Sequence, residues 1–267
     1  MPNAEMSVPD HRIALITGAS FGIGLELARI FAREGYGLVL VARSADKLRQ
    51  LAAELEKAHG TRSLILATDL TDPGAAAYLL DQTTRADIQL DVLVNNAGFG
   101  QYGSFAENDL EQCLQQIQLN VTTLTHLTRL YLPAMIERRS GRILNVASTA
   151  AFQPGPLMAV YFATKAYVLH FSEALSNELQ GSGVTVTCLC PGATATEFHK
   201  RAKATGMRML RMGSMDARTV AEDGYRAMIV GKPVVISGFK NWLVAQSVRF
   251  SPRRLVTAIA RKIQEGK

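Results

Sequence analysis

The sequence predicts an α/β fold: a single doubly wound parallel sheet of about seven strands with helices on both faces. Three observations predict it. Short apolar runs alternate with amphipathic stretches along the chain; a glycine-rich turn joins the first run to the first helical stretch; and no linker rich in Pro, Gly or Ser divides the 267 residues.

Strand-like runs lie at 13–16, 37–41, 63–67, 92–94, 142–146, 184–189 and 234–236. Apolar positions at helical spacing mark 22–34, 45–58, 74–85, 108–138, 161–179 and 217–230. Leu132-Pro133 interrupts the fourth of these stretches, so a kink or break is expected there. The whole chain, 1–267, reads as one domain with a small appendage at 197–216 and a helical tail at 240–267. Within the tail, two amphipathic stretches at 241–250 and 253–263 flank Ser251-Pro252.

Composition narrows the function class. No run of eighteen uncharged apolar residues suggests a membrane span, and residues 1–11 lack the apolar centre of a signal peptide. Cys113, Cys188 and Cys190 have no metal-ligand spacing, and the five histidines are scattered, so no metal is expected. Buried thiols in a reducing cytoplasm are the expectation, with Cys188 and Cys190 on opposite faces of their strand. Much of the net charge of +6 lies in 200–211 and in the tail. The tail would dock first on a partner subunit, second on an anionic membrane surface. No aromatic-basic interleaving points to nucleic acid.

The turn Thr17-Gly18-Ala19-Ser20-Phe21-Gly22-Ile23-Gly24 follows a strand and opens a helix, the setting a dinucleotide loop requires. Gly18 makes the tight turn, Gly22 admits a pyrophosphate close to the backbone, and Gly24 allows close packing of helix on strand. The helix N-terminus then offers N–H groups to the phosphates. At the end of the second strand, Ala42 stands where an acid would bind the ribose of NAD, and Arg43-Ser44 follow. A guanidinium and a hydroxyl suit the extra phosphate of NADP; the alternative is a solvated cation at a strand end.

Tyr161 and Lys165, four apart on a helical stretch, share a face. The ammonium should pull the phenol below its usual value of about 10, and Ser148 would hold a carbonyl oxygen beside it.

Together these segments resemble the classical short-chain dehydrogenase/reductase family, and its broad bacterial branch of undefined substrate. The resemblance rests on the loop 17–24, Asp69, Asn95-Asn96-Ala97-Gly98, Asn120, Ser148, the Tyr161/Lys165 pair and Pro191, Gly192 and Thr196. It implies a Rossmann-like sheet in the order 3-2-1-4-5-6-7. It also implies NADP(H) contacts from Ser20, Phe21, Ile23 and Lys165, adenine contacts from Asp69 and Leu70, and a cleft shaped by Asn95, Asn96, Ala97 and Gly98. Thr194 and Thr196 would meet the carboxamide. Asn120 is either an exposed polar residue or the site of a helix distortion that frees a carbonyl for a water linked to Lys165. The implied reaction is carbonyl reduction, with Tyr161 as general acid and the reverse oxidation using the same group as base.

A covering segment at 197–216 and a wall of Phe99, Tyr102, Phe152, Pro154, Met158 and Phe198 would favour a hydrophobic ketone or aldehyde, including an acyl chain. A homodimer or homotetramer, paired through the fourth and fifth helices, is implied. The alternative is a catalytically silent NADPH-sensing or scaffolding protein on the same fold. The presence of Asn120, Ser148, Tyr161 and Lys165 together favours an enzyme.

Overall fold

The structure, a computed structural model, describes residues 12–198, 202 and 213–265. The N-terminal stretch 1–11, and most of the expected covering segment, lie outside the described residues. Seven parallel strands form one sheet in the order β3-β2-β1-β4-β5-β6-β7. They are β1 (Ile13–Thr17), β2 (Gly37–Ala42), β3 (Ser63–Ala67), β4 (Val92–Asn95), β5 (Gly141–Val146), β6 (Val184–Cys190) and β7 (Val234–Ile236).

Helices α1 (Gly22–Arg33), α2 (Ala45–His59) and α3 (Ala75–Arg85) follow the first three strands. After β4 come α4 (Leu110–Ile117) and α5 (Leu124–Glu137), and after β5 comes α6 (Ala159–Glu178). Then α7 (Ala217–Ile229) precedes β7, while α8 (Phe239–Val248) and α9 (Arg253–Gln264) form the tail.

Both faces of the sheet are covered, which is why its strands read as unbroken apolar runs. Ala14 and Ile16 of β1 pack with Leu27 and Phe31 of α1, Leu48 of α2 and Val220 of α7. Their neighbours Ile13 and Leu15 turn to the other face, against Leu79 of α3, Leu127 of α5 and Leu175 of α6. Burying each such side chain contributes about 1.5–3 kcal/mol. A row of buried polar groups runs through the second layer: Ser172 accepts from Asn145 at 2.9 Å, and Asn145 accepts from Asn95 at 2.9 Å.

Two expectations are corrected. The break in the 108–138 stretch falls at a π turn, Gln118–Thr123, and not at Leu132-Pro133. Pro133 lies inside α5 on its exposed side, where water can satisfy the carbonyl left unpaired because proline has no N–H to donate. Cys188 and Cys190 share one face, with their sulfurs 3.8 Å apart. The strand period is two, so residues two apart point the same way.

Candidate active site

The C-terminal ends of β1 to β6 open into one cleft of about 960 Å³, the position ligands take in open α/β sheets. At its centre Thr17 ties two strand ends together. Its hydroxyl donates to the Val94 carbonyl at 3.1 Å and accepts from the N–H groups of Asn96 and Ala97 at 2.9 and 3.0 Å. The Asn96 amide returns to the Thr17 and Gly18 carbonyls at 2.8 and 3.3 Å. Strand end and glycine turn are thus one rigid unit.

That turn fits a pyrophosphate. Gly18 and Gly22 have φ of 68° and 59°, and a Cβ on them would lie 2.8 Å from Asn96 Nδ2 and from Thr196 Cγ2, respectively. Phe21, the N-cap of α1, has no side-chain acceptor, so the first-turn N–H groups remain available to an anion. Further along, Ala42, Arg43, Ser44, Asp69 and Leu70 line the cleft. Ser44 caps α2 without using its hydroxyl as a cap acceptor. The Arg43 guanidinium lies 3.7 Å from the Asp69 carboxylate. Burial pushes the Asp69 carboxyl up, but the Thr71 N–H and hydroxyl, with Arg43, outweigh it and hold it below its usual range.

At the other end Tyr161 and Lys165 project from α6 and Ser148 from the end of β5. Lys165 is buried; its ammonium donates to the Val146 carbonyl at 2.8 Å and lies 5.8 Å from the centroid of the Tyr161 ring. Burial pushes the Lys165 amine down to about 8, against a smaller upward pull from Cys188 and Cys190. The Tyr161 phenol is pushed up to about 12 by burial, with Ser148 pulling weakly the other way. The expected lowering of the phenol is therefore corrected: desolvation exceeds the effect of the neighbouring groups.

Asn120 lies in the π turn and is buried. Its amide donates to the Phe99 carbonyl and the Thr164 hydroxyl, each at 3.0 Å, and its oxygen accepts from the Phe99 N–H at 3.2 Å. The exposed-polar alternative is ruled out.

A family model described as short chain dehydrogenase matches residues 12–206. The chain belongs to the short-chain dehydrogenase/reductase family. That family uses nicotinamide dinucleotides. The chain is 34% identical to a short-chain dehydrogenase from Sphingobium yanoikuyae solved in complex with NADPH, with a TM-score of 0.78 over 90% of this chain and 94% of that one. It is 30% identical to a bulky-bulky ketone specific alcohol dehydrogenase from Comamonas testosteroni, with a TM-score of 0.75 over 90% and 92% of the two chains. It is also 35% identical, over 196 residues, to the very-long-chain 3-oxoacyl-CoA reductase of Bos taurus, a match covering 72% of this chain and 62% of that protein. The chain thus spans less than two thirds of the length of that curated relative.

Against this short-chain dehydrogenase/reductase cleft, the sequence-predicted residues divide. Gly18, Ser20, Phe21, Gly22, Ile23, Asn96, Ala97, Gly98, Pro191, Gly192, Thr194 and Thr196 all line it. Gly24 does not; it packs beneath the loop, where a Cβ would lie 2.4 Å from the Gly18 carbonyl oxygen. Asn95 turns into the core, donating to Thr128 and Asn145. On the expected apolar wall, Phe99, Met158 and Phe198 line the cleft, with the Phe198 and Tyr161 rings 5.2 Å apart. Phe152, Pro154 and Tyr102 do not line it.

Gln153 takes their place, because in extended backbone (φ −150°, ψ 158°) alternate side chains point opposite ways. Phe152 packs on the buried cluster that holds Ala147, Val168 and Cys190, and Tyr102 packs behind the wall, its phenol donating to the Gln264 carbonyl at 3.0 Å. Gln112, Gln115 and Leu119 also line the cleft and were not anticipated. The first two lie three apart on α4, a spacing that places them on one face.

Proposed function

We propose that this protein is an NADP(H)-dependent reductase of a medium or large apolar ketone or aldehyde, working reversibly. The observation that carries the reading is the meeting of Ser148, Tyr161 and Lys165 at one end of a cleft whose other end presents Arg43 and Ser44 beside Ala42. The nicotinamide nucleotide, when bound, supplies the hydride. Tyr161 Oη gives its proton to the carbonyl oxygen, and the Ser148 hydroxyl holds that oxygen in place. Lys165 provides the positive charge beside the phenol and a donor for the nucleotide ribose. Because the Asn120 side chain is fully engaged by Phe99 and Thr164, its part is to hold the π turn against α6, leaving proton exchange to a main-chain carbonyl. Arg43 gives a fork of donors to the 2′-phosphate, with Ser44 adding a hydroxyl.

The names of the relatives support the substrate class: NADPH, bulky ketones and 3-oxoacyl thioesters all occur among them. Phe99, Met158 and Phe198 supply an apolar surface for such molecules. Self-association fits an exposed apolar stripe, Leu110, Leu114 and Ile117, on α4. The deciding experiment follows nicotinamide absorbance while ketones, aldehydes and 3-oxoacyl thioesters are offered with NADPH. Turnover of at least one class, absent without the carbonyl compound, is expected. Tight NADPH binding with no turnover of any class would replace the reductase by a nucleotide sensor.

A further inference from the structure

We infer that α8 and α9 form a face that docks the protein on an anionic lipid surface. Between Asp223 and Glu265 the sequence has no acidic residue, yet it carries eight cations: Arg226, Lys232, Lys240, Arg249, Arg253, Arg254, Arg261 and Lys262. In the two tail helices and the turn between them, Lys240, Arg249, Arg253, Arg254 and Lys262 are exposed, and no carboxylate among the described residues pairs with them. Interleaved with these cations are large apolar side chains left in water. Phe250 is 89% exposed and Phe239 75%, and Trp242, Leu243, Leu255 and Ile259 are each about half exposed.

The helices themselves are firmly seated. Ala245, Val256 and Ala260 are buried, α8 packs on the turn Thr149–Phe152, and Arg253, Arg254, Thr257 and Arg261 share a groove with Pro156. Both helices therefore adjoin the segment that follows Ser148. At 10 and 12 residues they are too short to span a bilayer and suited to lying along it.

Charge selects the occupant. A second copy docking here around a two-fold axis would set these cations against their own equivalents. Single-stranded nucleic acid would take the cations and stack its bases on the rings, but it would leave the aliphatic Leu243, Leu255 and Ile259 without partners. An anionic bilayer satisfies both: headgroups meet the cations while the apolar rings enter the acyl boundary. This inference does not depend on the catalytic reading.

Trp242 is the only tryptophan, so its emission reports on this face alone. The full-length protein would be mixed with phosphatidylglycerol-containing vesicles and with pure phosphatidylcholine vesicles, then followed by sedimentation and fluorescence. Expected are binding to the anionic vesicles, weakening as salt rises, and a blue shift of Trp242 emission. Replacing both Arg253 and Arg254 by alanine should lower the partition coefficient about twenty-five-fold, since each cation near such a surface counts for about fivefold. The thermal unfolding midpoint of this variant, followed by circular dichroism, should stay unchanged, which shows that it is folded. Equal partition into neutral and anionic vesicles, binding without the Trp242 shift, or no binding at all would overturn the inference. So would a Phe250→Ser variant that dissociates an oligomer while vesicle binding is absent, since that outcome assigns the face to a second copy.

Discussion

The two ends of the cleft are built from different materials. At the end proposed for the nucleotide, the groups that would face the pyrophosphate are main chain, a glycine turn and the first N–H groups of α1 beside strand termini locked by Thr17 and Asn96, with the Arg43 and Ser44 side chains added at the far edge. At the substrate end they come from side chains on separate elements: Phe99 after β4, Ser148 and Gln153 around a short turn, Tyr161 on α6 and Phe198 after β6. A backbone site tolerates little change and is written in short, contiguous sequence. A side-chain site is assembled from residues far apart in the chain, and its specificity can change by one substitution at a time.

Tyr161→Phe should lower turnover by about a thousandfold while NADPH affinity, read by fluorescence titration, stays within about twofold. A parallel loss of binding would mean that the phenol belongs to the nucleotide end instead. Lys165 tests the cost of the substrate end. Its amine falls from 10.5 to about 8, so between those values the folded chain holds fewer protons than the unfolded one, and stability rises with pH. Below about pH 8 the buried charge costs on the order of 3 kcal/mol. Lys165→Met, compared with wild type by urea unfolding without cofactor, should be the more stable at pH 7, with the gap closing toward pH 10. A gap independent of pH would assign the difference to packing.

At the nucleotide end, Arg43→Ala should raise the KM for NADPH about tenfold, the low end expected for a charge-assisted bond on an exposed residue, and barely alter that for NADH. An unchanged ratio of the two constants would remove Arg43 from the 2′-phosphate site. The smallest effect separates neighbours in sequence. Gln153→Ala should change the KM of a bulky ketone by about fivefold and Pro154→Ala by less than about twofold, because only Gln153 faces the cleft. The reverse order would refute the wall assigned here.

The same contrast explains what the sequence discloses. The strands, the glycine turn and the Tyr161/Lys165 face were legible because each depends on local spacing and on a period of two or 3.6, whereas the strand order came from the family resemblance. Phe152 and Pro154 misled because hydrophobicity says that a residue is covered, not by what. Their orientation was set by one extended residue between them. Asn120 announced a distortion, and Pro133 announced a break that α5 absorbs on its wet side. Gln112 and Gln115 carry no pattern that separates them from any polar helix face. The phenol's acidity was misjudged because spacing gives the neighbouring amine but not the depth at which both lie.

Beneath that amine lie two thiols on one side of β6, and among the described residues no carboxylate neutralises it. Sulfhydryl groups are soft, feeble acceptors, so they leave the cation's field largely unspent. The field is thus directed outward, toward whatever negative charge gathers on a substrate oxygen. An aspartate at Cys188 would quench it from below; Cys190 is the poorer place, because its sulfur accepts from the Ser148 N–H.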